Sequence, residues 1–311
     1  MLKLGIPYMG SKRAIASDIV HYILEHNPNC KYVYDLFGGG GAISFEFLKH
    51  GKQVFYNELN TTVCELLKKI MTDGVTPEFY KWVSREEFKE HVNGNDWRAG
   101  LIKTCWSFGN NSEKGYMFSE ENEPIKELLH KCIIYGEKYK ELSDVLGVPI
   151  NEKTFIVLKS NSERKINLQR YLKKNIKDVK ADAVLSCIRK ECILPNLNGI
   201  EQLERLQQLQ LLHVSNLSYE QVEIVTPVEE TIIYLDPPYE STEKYQKGLC
   251  HRELENYIEN SPYKIYISSY DFNLPVVWEK YKRCKLSATA NNKVIEKLFC
   301  NRPETIKSTL F

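Results

Sequence analysis

Four glycines in a row, Gly38–Gly41, stand between a β-rich run, Lys31–Leu36 (KYVYDL), and a helix-like segment, Ala42–Lys49. Glycine accepts positive φ and lets other groups approach the backbone, so the chain can turn sharply there. A strand that passes through a glycine turn into a helix opens a βαβ unit, whose sheet offers its carboxyl edge to a ligand. The alternation continues on both sides: Asp18–Glu25 reads as helix, Gln53–Tyr56 as a second strand and Thr61–Met71 as a second helix. From Asp73 to about Leu212 the pattern is irregular, with Asn/Gly-rich stretches at Asn93–Asn95 and Gly109–Asn111 and a basic segment after them. Glu201–Leu212 restores a helix, with Leu203, Leu206 and Leu209 along one side. Strand signals return at Thr231–Leu235 (TIIYL), Lys264–Ser268 (KIYIS) and, weakly, Val294–Cys300. These runs predict an α/β fold: an open, Rossmann-like sheet of about seven mostly parallel strands with helices on both faces. The economical division is one discontinuous domain, residues 1–73 plus 213–311, with residues 74–212 inserted as a second lobe.

Composition narrows the function classes. The chain has 311 residues, 42% of them hydrophobic, enough for a packed core. It has no apolar run of the roughly twenty residues that span a bilayer, and Met1–Tyr8 lacks the apolar core of a signal peptide, so a cytoplasmic location without membrane is expected. The nine cysteines are scattered and read as reduced core residues, and Cys187 and Cys192 are too isolated for a zinc site, so no metal is expected. Net charge is only +1, but Asn151–Lys190 holds eleven Lys or Arg against four Asp or Glu, a local +7 that leaves the remainder near −6. That segment is either an electropositive binding face or a solvated helical surface.

Chemistry concentrates at strand ends. Asp35-Leu36-Phe37-Gly38-Gly39-Gly40-Gly41 closes the first strand, and its glycines allow close approach of a nucleotide-like cofactor. Glu58 follows the second strand, where a carboxylate can accept from both hydroxyls of an adenosine ribose. No Gly-Lys-Ser/Thr phosphate loop is present, which favours a nucleoside cofactor without pyrophosphate. Asp236-Pro237-Pro238-Tyr239 follows Thr231–Leu235 and carries the most specific signal. Its two prolines remove backbone donors and stiffen the turn, leaving carbonyl acceptors beside a carboxylate and an aromatic ring. Asp236 and the Pro237 carbonyl can accept both N–H groups of an exocyclic amine while Tyr239 stacks on the base.

An early Asp-x-Phe-x-Gly-x-Gly with a late Asp-Pro-Pro-Tyr resembles the Dam-type, alpha-ordered adenine-specific DNA methyltransferases, and the likeness covers nearly the whole chain. It implies S-adenosyl-L-methionine as cofactor, double-stranded DNA as partner, a cognate restriction endonuclease as a candidate partner, an inserted target-recognition domain and an antiparallel last strand. Tyr8-Met9-Gly10-Ser11-Lys12 resembles the family's amino-terminal motif, which implies that Tyr8 and Lys12 join Asp35, Phe37, Gly39, Gly41 and Glu58 at the cofactor, Lys12 through the methionine carboxylate. Ser215–Val222 (SNLSYEQV) resembles the segment before the catalytic strand, which implies Ser218 and Tyr219 near the cofactor's adenine. Asp236, Pro237, Pro238 and Tyr239 are the implied catalytic set, with Asp236 also at the cofactor. Thr104–Phe118 resembles the entrance to the recognition lobe in phage and restriction-system relatives; its Ser107, Asn110, Asn111 and Lys114 are types that contact phosphates and base edges. In the basic segment, Lys165, Arg170, Lys173, Lys174 and Lys177 are the candidate phosphate contacts. The four consecutive glycines are more flexible than the motif needs. Transfer to a cytosine amino group or to RNA, and a catalytically silent DNA-binding relative, stay open as alternatives.

Overall fold

The computed structural model describes residues 4–8, 10–110, 115–158, 160–176, 209–238, 250–285 and 291–303. In the first part of the chain the order is α1 (Ala16–Glu25), β1 (Tyr32–Asp35), α2 (Ala42–Lys49), β2 (Gln53–Asn57) and α3 (Thr61–Asp73). After the middle of the chain come β3 (Leu212–Ser215), β4 (Thr231–Leu235), α10 (His251–Asn260), β5 (Lys264–Ser269), β6 (Val276–Lys285) and β7 (Asn291–Cys300). The seven strands form one sheet in the order β3-β2-β1-β4-β5-β7-β6. Strands β3, β2, β1, β4 and β5 run parallel, and β7 is antiparallel to both β5 and β6. The chain leaves β1 toward β2 on one side and returns as β4 on the other, so the strand order reverses between β1 and β4 and opens a crevice at their carboxyl ends.

All five residues of β4 are buried because both faces of the sheet are covered. Val33, Val54, Ile232 and Tyr234 pack with α1, α2 and α3 in one core, while Tyr34, Ile233, Leu235, Ile265 and Ile267 pack with Leu254 and Ile258 of α10 in another. The alternation of strand side chains thus divides one sheet between two cores.

The described part of the middle is helical rather than irregular: α4 (Arg85–His91), α5 (Trp97–Cys105), α6 (Glu123–Ile134), α7 (Tyr139–Leu146), α8 (Lys153–Ile156) and α9 (Asn161–Asn175). These helices are short, and polar residues cap several of their amino termini. Ser84 accepts from the Glu87 amide, Asp96 from the Ala99 amide, and Ser160 with Glu163 makes a capping box. Helices α4 and α5 lend Phe88, Leu101, Ile102 and Cys105 to the core beside α3. Helices α6 to α9 enclose a separate core around Leu129, Ile133, Tyr139, Leu142, Phe155, Leu168 and Leu172.

The helix expected over Glu201–Leu212 does not hold at its described end; residues 201–208 lie outside the described residues. Leu209–Leu211 is a single 3-10 turn and Leu212 already pairs with Val54, so sheet registry overrides the leucine periodicity. No helix among the described residues is long and apolar enough to cross a membrane. Cys30, Cys64, Cys105, Cys132 and Cys300 are buried, Cys250 is exposed rather than in the core, and Cys187 and Cys192 lie outside the described residues.

Candidate active site

The glycine turn carries the backbone from β1 into α2. The segment before α1 lies directly on it: the Ile6 amide donates to the Gly40 carbonyl at 2.9 Å. A Cβ on Gly40 would stand 2.3 Å from the Ile6 carbonyl oxygen, and Gly41, with φ 74°, would drive one into the Phe45 ring. The run of glycine is therefore close packing rather than surplus flexibility. The Tyr8 ring lies 3.2 Å from where a Gly39 side chain would begin, so it walls one side of the turn.

Glu58 closes the other side. One of its oxygens accepts the Gly39 amide at 2.7 Å and the other the Asn60 amide at 2.8 Å. Burial raises its pKa, and the amides of Asn60 and Gly39 oppose that shift by binding the charged form. A carboxylate has about four acceptor sites, so these two bonds leave room for further donors. Asn57, which the sequence reading passed over, holds this edge together. Its amide nitrogen donates to the Leu36 and Leu217 carbonyls, and its oxygen accepts from the Leu217 amide and the Ser215 hydroxyl. Tyr56 adds a 2.6 Å bond to the Gly39 carbonyl.

Asp35 ends β1 and is 1% exposed. One oxygen accepts from Ser44 at 2.6 Å, and the other, Oδ1, is buried without a hydrogen-bond partner among the described residues. Burial pushes its pKa up to about 7 against the Ser44 hydroxyl, with repulsion from Asp236 and Glu58 adding to the rise. A buried acceptor held this way fits a cationic or amino donor. Phe37 and Tyr219 approach at 5.3 Å between ring centroids, and the Tyr219 hydroxyl is likewise buried without a partner. Ser218 donates to Glu220 and caps the turn that carries Tyr219.

Asp236 follows β4, across the crevice from Asp35. Lys12, 3% exposed, donates to both of its oxygens at 2.6 and 2.8 Å and lies 3.4 Å from Glu296 of β7. Burial disfavours the Lys12 cation, but Asp236 and then Glu296 outweigh it, so the pKa is raised. Pro237 is buried and Pro238 half-buried. Tyr239, with Asn111, Lys114 and Lys177, lies outside the described residues.

The crevice thus gathers Tyr8, Lys12, Asp35, Phe37, Gly39, Gly41, Glu58, Tyr219 and Asp236. The sequence reading missed Asn57 and Glu296. Glu296 shares an inward face with Leu298 and Cys300, and a charge in that alternation is the signal that marks it.

The other candidates lie elsewhere. Ser107 is buried and donates to the Lys103 carbonyl, and Asn110, in the left-handed region, donates to Thr104, so both close their own loop. On α9, Arg170, Lys173 and Lys174 are exposed and Lys165 half-buried. Arg164 donates to the Ile133, Ile134 and Leu158 carbonyls and caps the end of α6, so one charge of the basic segment is structural. No group of three or more His, Cys, Asp or Glu among the described residues could hold a metal ion.

A comparison with curated proteins found no match. The family model of the D12 class N6 adenine-specific DNA methyltransferases matches residues 8–299, which takes in the glycine turn, the helical middle and the Asp236 turn alike, and the chain belongs to that family.

Proposed function

We propose that the protein is a site-specific DNA adenine methyltransferase that uses S-adenosyl-L-methionine and acts on an adenine turned out of the duplex. The observation that carries this reading is the placement of Asp35 and Asp236 on opposite sides of the switch point between β1 and β4, where open α/β sheets bind their ligands. The residues present fit the cofactor. Glu58 has acceptor sites for ribose hydroxyls, the partnerless Asp35 oxygen suits the methionine ammonium, and the glycine turn leaves the backbone open beside Tyr8. When bound, S-adenosylmethionine supplies a methyl group on a positively charged sulfur.

The chain's own part is to hold the adenine amino group. Its nitrogen is a poor nucleophile because the lone pair is delocalised into the ring. Acceptance of its N–H bonds by Asp236 and the Pro237 carbonyl favours a pyramidal nitrogen, and the carboxylate stabilises positive charge as it develops there. Adenine must leave the stack to reach this turn, with Tyr239 as the expected stacking partner. No covalent bond between enzyme and base is required, so no cysteine is given a role.

We assign residues 1–73 plus 213–311 to catalysis and the segment 74–212 to target recognition, with α4, α5 and Leu212 of that segment packed on the catalytic core. The separate core of α6 to α9 supports the second assignment. Lys165, Arg170, Lys173, Lys174 and Lys177 are the proposed phosphate contacts, with Asn111 and Lys114 at the lobe's entrance. The test is expression in a host lacking adenine methylation, followed by genome-wide mapping of modified bases. Methyl-adenine at one short motif supports the reading; an unmodified genome despite soluble protein, or methyl-cytosine, overturns it.

A further inference from the structure

Lys12 occupies the same Asp236 oxygens that the adenine amino group needs. Its ammonium is within 2.8 Å of both, so it takes an acceptor site on each oxygen and neutralises the carboxylate in competition with an incoming N–H. A cation 3% exposed cannot turn to solvent when it loses a partner. The second carboxylate within reach is Glu296, 1% exposed, whose Oε1 stands 3.4 Å away. That is longer than a charge-assisted hydrogen bond of about 2.8 Å, so the ammonium rests mainly on Asp236 with room to move toward Glu296.

The placement of Glu296 follows from strand direction. β7 is antiparallel to β5 and enters the sheet from the carboxyl edge, the edge of the crevice. Ser269 at the end of β5 pairs with Lys297, so Glu296 stands just beyond β5, level with the mouth of the site. Its side chain joins the inward row with Leu298 and Cys300, where an apolar residue would pack. A charge in that row is costly unless it is paired, and Lys12 is a cation within reach.

We propose that Glu296 is a positioning residue that takes over the Lys12 ammonium when adenine claims Asp236. Two carboxylates and one ammonium carry a net charge of −1, so one unit of negative charge stays available to the amine. With a neutral residue at 296 the ammonium keeps Asp236 as its carboxylate partner among the described residues, and it neutralises the acceptor.

The inference rests on the methyltransferase reading, so wild-type protein is first assayed with unmethylated duplex DNA and S-adenosylmethionine; silence there refutes that reading and not this one. In Glu296→Gln, kcat per folded molecule should fall about 10- to 100-fold, while S-adenosylmethionine affinity by calorimetry stays within about twofold. If Glu296 merely neutralises a buried lysine, the variant melts earlier but its folded fraction turns over like wild type, which overturns the proposal. A measurement on unaltered protein covers the case of a variant that does not fold. In a crystal of the wild-type complex with DNA and the inhibitor sinefungin, Lys12 Nζ should lie within hydrogen-bond distance of Glu296 and have left one Asp236 oxygen. Lys12 still bound to both Asp236 oxygens would end the proposal.

Discussion

The crevice and the α6–α9 lobe use charge in opposite ways. In the crevice Asp35, Glu58, Lys12 and Glu296 are buried, and each binds a backbone amide, a hydroxyl or an opposite charge. On α9, Arg170, Lys173 and Lys174 stand in solvent, and the half-buried Arg164 guanidinium binds helix-end carbonyls. Buried groups in fixed geometry suit catalysis, where preorganised dipoles act without solvent rearrangement. Exposed cations suit a polyanion, where binding releases counterions and sequence matters little. The same residue classes therefore serve chemistry or attraction according to the water around them.

That contrast predicts a descending series of effects. The largest belongs to Asp236→Asn, which keeps the shape of the side chain but removes the charge opposite the amine. Turnover should fall by on the order of 10²–10³, as on loss of one preorganised electrostatic partner. Because Lys12 loses its nearest carboxylate, stability should also fall, by at most about 3 kcal/mol for a pair in which Asp236 is partly exposed. Initial rates and urea denaturation read the two effects, and near wild-type turnover would remove Asp236 from the mechanism.

Glu58→Ala should act on binding alone. Loss of hydrogen bonds to a charged acceptor costs about 1.5–3 kcal/mol, a drop in S-adenosylmethionine affinity of about 10- to 150-fold. Such bonds exist in ground and transition states alike, so kcat at saturating cofactor should change little. Calorimetry beside saturation kinetics separates the two quantities.

Asp35 gives the third prediction. In the free protein its pKa is pushed up to about 7, so near neutral pH about half the molecules hold a proton on it. A cofactor ammonium beside it favours the carboxylate, lowers that pKa and expels the proton. Binding that releases a proton strengthens as pH rises and levels off above the free-state pKa. Affinity for S-adenosylmethionine should therefore rise as the pH rises toward about 7, by up to about tenfold per unit. Calorimetry in buffers of different ionisation enthalpy should count up to about one proton released, and Asp35→Asn should abolish it.

The smallest effect belongs to α9. Lys173→Ala with Lys174→Ala should lower the slope of log affinity for DNA against log salt by about 1.8, about 0.9 for each phosphate no longer neutralised. Specific and non-specific binding should weaken alike while cofactor affinity holds. An unaltered slope would return α9 to the role of a solvated face.

Most of the crevice is legible in the sequence because its signals are local. The strand before Gly38, the acid two residues past Tyr56 and the Pro-Pro turn after Leu235 each announce a sheet end within a few positions. What stays hidden depends on distant partners. β3 is four residues long with only Leu212 buried, and its pairing with β2 decides that it is a strand at all. β6 (VVWEKYKRCK) is not among the strand signals, because an edge strand carries charge against unwanted pairing and so lacks a clean apolar alternation. Ser107 and Asn110 are singled out by residue type alone, and the sequence does not show their hydrogen bonds to the Lys103 and Thr104 carbonyls. Glu296 reads as one more charge between Lys293 and Lys297 until β7 is set against β5.

The salt bridge between Lys12 and Asp236 joins residues 224 positions apart in the chain. Ribosomes extend a chain at about 5–20 residues per second, so the amino-terminal lysine waits on the order of ten seconds or more for its partner to be made. Contacts between such distant residues carry a loop-closure cost and tend to form late. A nascent or prematurely released fragment can build the glycine turn but not the pairing of Lys12 with Asp236. On the proposed reading, catalytic competence arrives with the last strands of the sheet, and partial chains near DNA should be inert.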